Sequence, residues 1–261
     1  MSDSDGYFGA EVAARYDDVH SPMFELTTVT ATVDVLARLA GDSAVLELGI
    51  GTGRIALPLA ERGVSVHGIE LSQAMVDQLR AKPGGEAIPV TVGDFATTRV
   101  DAPPGGFGLA YLVFNTINNL TSQDDQVACF RTTAEHLAPG GRFVVEVGVP
   151  ELRRLPYGET TVMWGEGPPV WSYDVYDTAT QALSSNYVRI DDGHATFRSI
   201  PFRYVWPAEL DLMARLAGLR LRSRWEDWDE RPFTHESRRH VSVWEKPTEG
   251  HVERTTGIEP A

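Results

Sequence analysis

The chain has 261 residues, 42% of them hydrophobic and 23% charged, a size and composition that suit one α/β domain with an insertion, or at most two domains. Lys and Arg number 23 against 37 Asp and Glu, a formal net charge of −14, and a field of that sign argues against nucleic acid or an anionic membrane surface as a partner. One cysteine, Cys129, excludes an intrachain disulfide and a thiolate-rich metal site.

The start, MSDSDGYFG, lacks the basic and then apolar pattern of a secretory leader, and no apolar run is long enough to span a bilayer, so a cytoplasmic protein is expected. Residues 24–40 place Leu26, Val29, Val33, Leu36 and Leu39 on one face of a helix ended by Gly41 and Asp42. AVLELG is a strand, 54–62 a helix stopped by Gly63 with Pro58 as an internal irregularity, and VSVHGIE a second strand. Ser72 caps the helix SQAMVDQLRAK, and IPVTVGD is a third strand. FGLAYLVF, apolar almost throughout as a strand covered on both faces should be, is the fourth. A helix over 123–137, with Cys129 among its apolar positions and APGG closing it, leads into RFVVEVGV. The alternation predicts a helical cap over 1–40 and a doubly wound parallel α/β sheet over 41–149.

After Pro150 the period becomes two. VWSYDVYD, ALSSNYVRID and ATFRSIPFRYVW, the last two joined by DDGH, predict an antiparallel insert over 150–206. The helix PAELDLMARLAG and the strands LRLRSRWEDW and HVSVWEK return to the core over 207–246, and the polar residues 247–261 read as a mobile tail.

The chemistry gathers at VLELGIGTGR. Alternating Gly49, Gly51 and Gly53 between a strand and a helix bring backbone close to a ligand. A dinucleotide fingerprint would place its third glycine at position 54, which is Arg54 here. Three carboxylates stand at the strand ends. Glu47 precedes the loop. Glu70 ends the second strand, suited to both hydroxyls of a ribose. Asp94 ends the third, placed to accept from an exocyclic amine of adenine with Phe95 against the ring. This much negative charge ill suits a pyrophosphate and suits a cationic nucleoside.

Taken together, VLELGIGTGR, the acidic end of VHGIELSQAM, VGDF and HLAPGGRFVVEV resemble the class I S-adenosylmethionine-dependent methyltransferases over residues 41–149. The closing GLRLRSRW and HVSVWEK resemble that family's final antiparallel pair. The resemblance implies a Rossmann-like, mostly parallel sheet and S-adenosylmethionine as cofactor. It implies that Glu47 and the backbone of Gly49, Gly51 and Gly53 surround the methionyl part and the ribose, and that Glu70 holds the ribose hydroxyls. Leu71 and Met75 would then pack on adenine, Asp94 and Phe95 recognise it, and Val113, Phe114 and Asn115 floor the site near the sulfonium. AARYDDVHSPMF resembles the cap of small-molecule members, whose tyrosine, matched by Tyr16, approaches the methionine carboxylate; Arg54 is either a second neighbour of that carboxylate or faces solvent. The insert's position and WPAELDLMARLAGL are similar to nucleotide-linked aminosugar N-methyltransferases and related natural-product tailoring enzymes, with Asn118 and Asn119 standing near the place where the sugar enzymes carry an aromatic residue.

The expected activity is methyl transfer to a nitrogen or oxygen of a small molecule. A hydroxyl acceptor needs a base, for which His20 is the candidate; an amine needs only its neutral form. Asn118, Asn119, Trp171 and Tyr204 are the acceptor-binding candidates, and the other aromatics of the insert are assigned to packing. Glu146 either faces the site or pairs with a neighbour. The histidines have no metal-ligand spacing, and no metal is expected. The expected partners are the small-molecule acceptor and a second copy of the chain in a homodimer. Two alternatives stay open: an NAD-dependent oxidoreductase, which Glu70 fits and Arg54, Asp94 and the want of a Tyr-Lys pair oppose, and a non-catalytic S-adenosylmethionine-binding protein.

Overall fold

The computed structural model describes residues 6–17, 24–165 and 169–248. Its larger sheet is built from β1 (Val45–Leu48), β2 (Val66–Glu70), β3 (Val90–Val92), β4 (Phe107–Leu112), β5 (Leu137–Gly148), and the late strands β10 (Arg220–Trp225) and β11 (Arg239–Glu245). A smaller sheet holds β6 (Thr161–Gly165), β7 (Val170–Tyr176), β8 (Ala182–Asp191) and β9 (His194–Arg203). The helices are α1 (Ala10–Ala13), α2 (Leu26–Ala40), α3 (Ala56–Glu61), α4 (Gln73–Arg80), α5 (Gln123–His136) and α6 (Pro207–Leu216).

The large sheet runs in the order β3-β2-β1-β4-β5-β11-β10. The first five strands are parallel, and β11 lies antiparallel between β5 and β10. This is the expected mixed α/β class. The chain walks outward from β1 to β3 and then crosses to β4 on the other side of β1. That reversal opens a crevice beyond the carboxyl ends of β1 and β4, where open α/β sheets bind ligands.

Strand burial follows from the layers. Every residue of β1 is buried, and β4 is buried at all positions but Gly108. One face is covered by α2, α3 and α4 through Val33, Leu36, Leu59 and Leu79. The other is covered by α5 and α6 through Phe130, Leu210 and Met213, with Phe130 edge-on to Phe143 and Trp244. Ser72 accepts the Met75 amide at 3.2 Å and Ser122 the Asp125 amide at 3.0 Å, so α4 and α5 begin where serine satisfies an orphan donor. Cys129 is fully buried, and burial pushes its thiol up to about 12.

Three local expectations change. Pro58 is the third residue of α3, which starts at Ala56 rather than Arg54; it has no N–H to give Arg54 O, but the Leu57 and Leu59 amides on either side still reach Gly53 O and Ile55 O at 3.0 and 3.1 Å, so the turn continues past it. The APGG segment lies inside β5, because the Gly140 amide bonds Lys246 O at 2.7 Å and Gly141 O takes the Lys246 amide at 2.8 Å. The insert has a fourth strand, β6, in which only Val162 is buried; it is ordered by pairing with β7 rather than by a pattern of its own. The turn from β8 to β9 has Asp192 and Gly193 both left-handed, as a tight hairpin needs.

A buried polar knot fastens the insert to the core. Arg203, at the end of β9, donates to Gln126 on α5 (2.5 Å), to Gln181 (2.9 Å) and to Glu209 on α6 (2.7 Å). Burial alone would raise the Glu209 pKa, but hydrogen bonds from Gln181, Arg203 and Gln123 hold it below the usual range.

Candidate cofactor and acceptor site

The glycine loop leaves β1 with Gly49, Gly51 and Gly53 all at positive φ. At Gly49 a side chain is excluded twice: φ is +70°, and a Cβ would lie 2.8 Å from Thr116 Cγ2. At Gly51, φ +57°, a Cβ would meet Met75 Cε at 3.5 Å, an ordinary contact. Its amide donates to Glu70 Oε2 at 2.8 Å, and the Ser72 amide donates to Glu70 Oε1 at 3.0 Å. Two backbone donors therefore fix the Glu70 carboxylate at the carboxyl end of β2, and its remaining lone pairs are suited to vicinal hydroxyls.

Glu47 lies beneath the loop, almost wholly buried, and accepts the Tyr111 hydroxyl at 2.9 Å. Burial raises its pKa to about 8, against the opposing pull of Tyr111 and of the nearby Arg54 charge. Such a carboxyl regains its charge when a cation comes beside it. Asp94 is exposed at the end of β3, where its Oδ1 takes the Ala96 amide at 2.8 Å. Phe95 is buried under Gly49, Leu71 is 46% exposed at the end of β2, and Met75 is buried against Gly51.

The end of β4 is strained. Phe114 and Asn115 both sit at positive φ, +53° and +60°, a conformation bulky residues adopt only when their surroundings impose it. Glu146 imposes it. Its Oε2 accepts the Phe114 amide at 2.9 Å and its backbone carbonyl the Asn115 amide at 3.1 Å, while Asn115 Oδ1 takes the Gly148 amide at 2.6 Å. The strained turn carries Phe114, 41% exposed, out at the crevice, with the Arg54 guanidinium 5.9 Å from its ring. Arg54 also lies 5.7 Å from the Phe24 ring, so it is held between aromatics at the site rather than left in solvent. Val113 lies buried just before this turn.

The N-terminal segment closes over the loop. Tyr16 stands edge-on to both Phe8 and Phe24. Burial raises its hydroxyl, with Arg54 opposing and Glu70, Asp17 and Glu47 adding, which places that hydroxyl near these four titratable groups. Asp17 accepts from Thr52 Oγ1 at 2.7 Å and pairs with Lys82 at 2.5 Å, and Ser72 Oγ donates to Phe8 O at 2.6 Å. No short-range pattern announces these ties: Asp17, Thr52 and Glu146 sit inside quoted motifs, yet nothing along the chain pairs them with Lys82, Asp17 and Phe114. His20 falls outside the described residues.

The acceptor candidates are distributed differently. Asn118 and Asn119 lie half-buried in the turn after β4, and Asn118 Oδ1 is buried without a hydrogen-bond partner among the described residues. Tyr204 is 3% exposed and packs on Tyr176 and Val162 inside the insert. Side chains alternate along a strand, so Trp171 points to the face of the insert sheet opposite Ser172 and Asp174, and it is 39% exposed there. Two histidines serve the fold: His136 Nε2 takes the Val100 amide at 3.0 Å, and His240 is buried against Ser242, where burial pushes its pKa down to about 3.

The donor set fits an adenosyl sulfonium. It offers a carboxylate fixed by two backbone donors for a ribose, a glycine loop at positive φ, apolar walls at Leu71 and Met75, and a buried carboxyl, Glu47, that a cation would help to ionise.

A family model described as a methyltransferase domain matches residues 45–141. The cypemycin N-terminal methyltransferase of Streptomyces sp is 29% identical over 94% of this chain and 100% of its own length. Among solved structures, the CcbJ methyltransferase of Streptomyces caelestis superposes with a TM-score of 0.75 at 37% identity, covering 92% of this chain and 96% of that one. An S-adenosylmethionine-bound amino pentose methyltransferase from Micromonospora echinaspora shares the fold, with a TM-score of 0.64 at 22% identity over 92% of this chain and 98% of that one.

Proposed function

We propose that this chain, which belongs to the class I S-adenosylmethionine-dependent methyltransferases and takes S-adenosylmethionine as its cofactor, methylates an amine nitrogen of a small natural product or of a peptide terminus. The observation that carries the reading is the match over its whole length to a relative named for methylating an N-terminus, which is an amine.

When bound, the cofactor supplies a methyl group already activated by its sulfonium, so the protein's task is alignment and exclusion of water. Glu70 would hold the ribose hydroxyls. Tyr16 and Arg54 would meet the methionyl carboxylate, and Leu71 and Met75 the adenine, with Asp94 at its edge. The Phe114–Asn115 turn, held by Glu146, would fix the floor of the crevice, and the N-terminal segment would keep it dry. A neutral amine brings its own lone pair, so no side chain need remove a proton before attack.

The test is to incubate the protein with S-adenosylmethionine and matched pairs of amines and alcohols, including an amino sugar and a short peptide, and to map the methylated atom by fragmentation mass spectrometry. Nitrogen methylation is expected, with a rate that rises with pH through the acceptor's own pKa. The His20→Ala variant should keep its turnover at saturating amine. Methylation at oxygen alone, abolished by that variant, would replace this reading with base-assisted O-methylation.

A further inference from the structure

The inner face of the insert sheet carries an oriented carboxylate, Asp174, beside aromatic side chains. Asp174, on β7, shares that face with Ser172 and Tyr176, and across the register with Ser185, Tyr187 and Ile200. The face is turned toward the N-terminal segment. Arg198 of β9 pairs with Glu11 of α1 at 2.9 Å, and the Tyr187 hydroxyl is raised by burial with Tyr7 next in effect. Tyr7 in turn packs on Phe8, which leads through Tyr16 to Arg54 and Glu70. This face is therefore turned toward the same N-terminal segment that covers the glycine loop.

Within it Asp174 is oriented. Its Oδ1 accepts Trp164 Nε1 at 2.9 Å and Ser185 Oγ at 2.7 Å. Trp164 is the extra residue of a bulge in β6, since the register passes from Met163 to Gly165, and a bulge re-aims a side chain. Its ring lies edge-on to Tyr187 at 5.5 Å and remains 49% exposed. Among the described residues no lysine or arginine forms an ion pair with Asp174. Burial raises its pKa; the Ser185 and Trp164 hydrogen bonds oppose this, and Glu151 adds to it. An oriented, half-buried carboxylate without a counter-charge, beside two aromatic rings, is the chemistry that recognises an organic ammonium ion.

We propose that Asp174, Trp164 and Tyr187 form the subsite that first takes the amine of the methyl acceptor as its ammonium ion, which gives its proton to water before the neutral amine attacks. The inference rests on the reading of the chain as an amine methyltransferase and adds which residues select the cation. Asp174 is a binding residue here, and the carboxylate that holds the cation also keeps the acceptor against the crevice.

The test uses benzylammonium and its neutral twin benzyl alcohol, titrated into the full chain saturated with S-adenosylhomocysteine. The readout is the Trp164 indole N–H resonance, assigned through Trp164→Phe. Asp174→Asn keeps a carbonyl that accepts from Trp164 and Ser185, so the fold should survive; unchanged S-adenosylhomocysteine affinity checks that it does. The expected result is that the cation shifts the Trp164 resonance at about tenfold lower concentration than the alcohol, and that Asp174→Asn abolishes the preference. On an amine that the wild type methylates, the same variant should raise KM about tenfold and leave kcat in place. Equal titration by both probes, or a preference that survives Asp174→Asn, overturns the subsite even where amines are methylated. Failure to methylate any amine would instead overturn the functional reading, and the probe titration would still decide whether the subsite binds cations.

Discussion

Replacing Glu47 by Gln should make the cofactor-free protein more stable, and by an amount that depends on pH. Glu47 is almost wholly buried, and burial carries its pKa from 4.5 to about 8 despite the Tyr111 hydrogen bond and the Arg54 charge. Below pH 4.5 the carboxyl is protonated in both folded and unfolded chains and makes no difference. Above it the unfolded chain ionises while the folded chain stays protonated, so stability falls by about 1.4 kcal/mol for each pH unit until the folded value is reached. At pH 7 the accumulated cost is about 3 kcal/mol. A glutamine has the same shape, never ionises, and keeps a carbonyl to accept the Tyr111 hydroxyl, so Glu47→Gln should gain up to about 3 kcal/mol at pH 7 and almost nothing near pH 4.5. Urea denaturation of both proteins at several pH values measures this. A variant that is less stable at pH 7, or a difference that does not change with pH, would show that Glu47 is not the destabilised buried acid described here. The same substitution should weaken S-adenosylmethionine, and the wild type should release a proton on binding it, read by calorimetry in buffers of different ionisation enthalpy.

The Glu70→Ala variant leaves the Gly51 and Ser72 amides without their acceptor and removes the partner assigned to the ribose; at about 1.5–3 kcal/mol for each hydrogen bond to a charged group, cofactor affinity should fall about 100-fold or more by calorimetric titration. Affinity that survives intact refutes the ribose assignment. In Glu146→Ala the turn at Phe114 and Asn115 loses its anchor and can relax from a conformation costing about 1–3 kcal/mol per residue, so kcat should fall at saturating cofactor while cofactor affinity changes little. Equal losses in both would mean that Glu146 serves the cofactor rather than the floor of the crevice. Cys129, fully buried with its thiol at about 12, should resist alkylation at pH 8 until denaturant is added; prompt labelling of the native protein would refute its inert role.

Much of the fold was legible because it rests on short-range patterns. A glycine cannot be replaced where φ is positive, so GIGTG announced a ligand-facing turn whatever the rest of the chain did. An apolar run such as FGLAYLVF can only be a strand covered on both sides, and Ser72 could be read as a cap because capping is local. Glu70 was legible for the same reason, being fixed by its distance from the loop along one βαβ unit. The strand β6 was not legible, since pairing rather than periodicity orders it.

The sequence by itself therefore determined the parallel core, the glycine loop, the carboxylates at the strand ends and the antiparallel character of the insert. Only the tertiary structure decided which side chains face the crevice. Trp171 lies on the face of β7 opposite Asp174 because a strand sends alternate residues to opposite faces, and Trp164 meets Tyr187 edge-on because one bulged residue in β6 re-aims its ring. The contacts of Asp17 with Thr52 and of Glu146 with Phe114 join residues 35 and 32 positions apart. They exist because the sheet brings its strand ends together, which no spacing along the chain encodes.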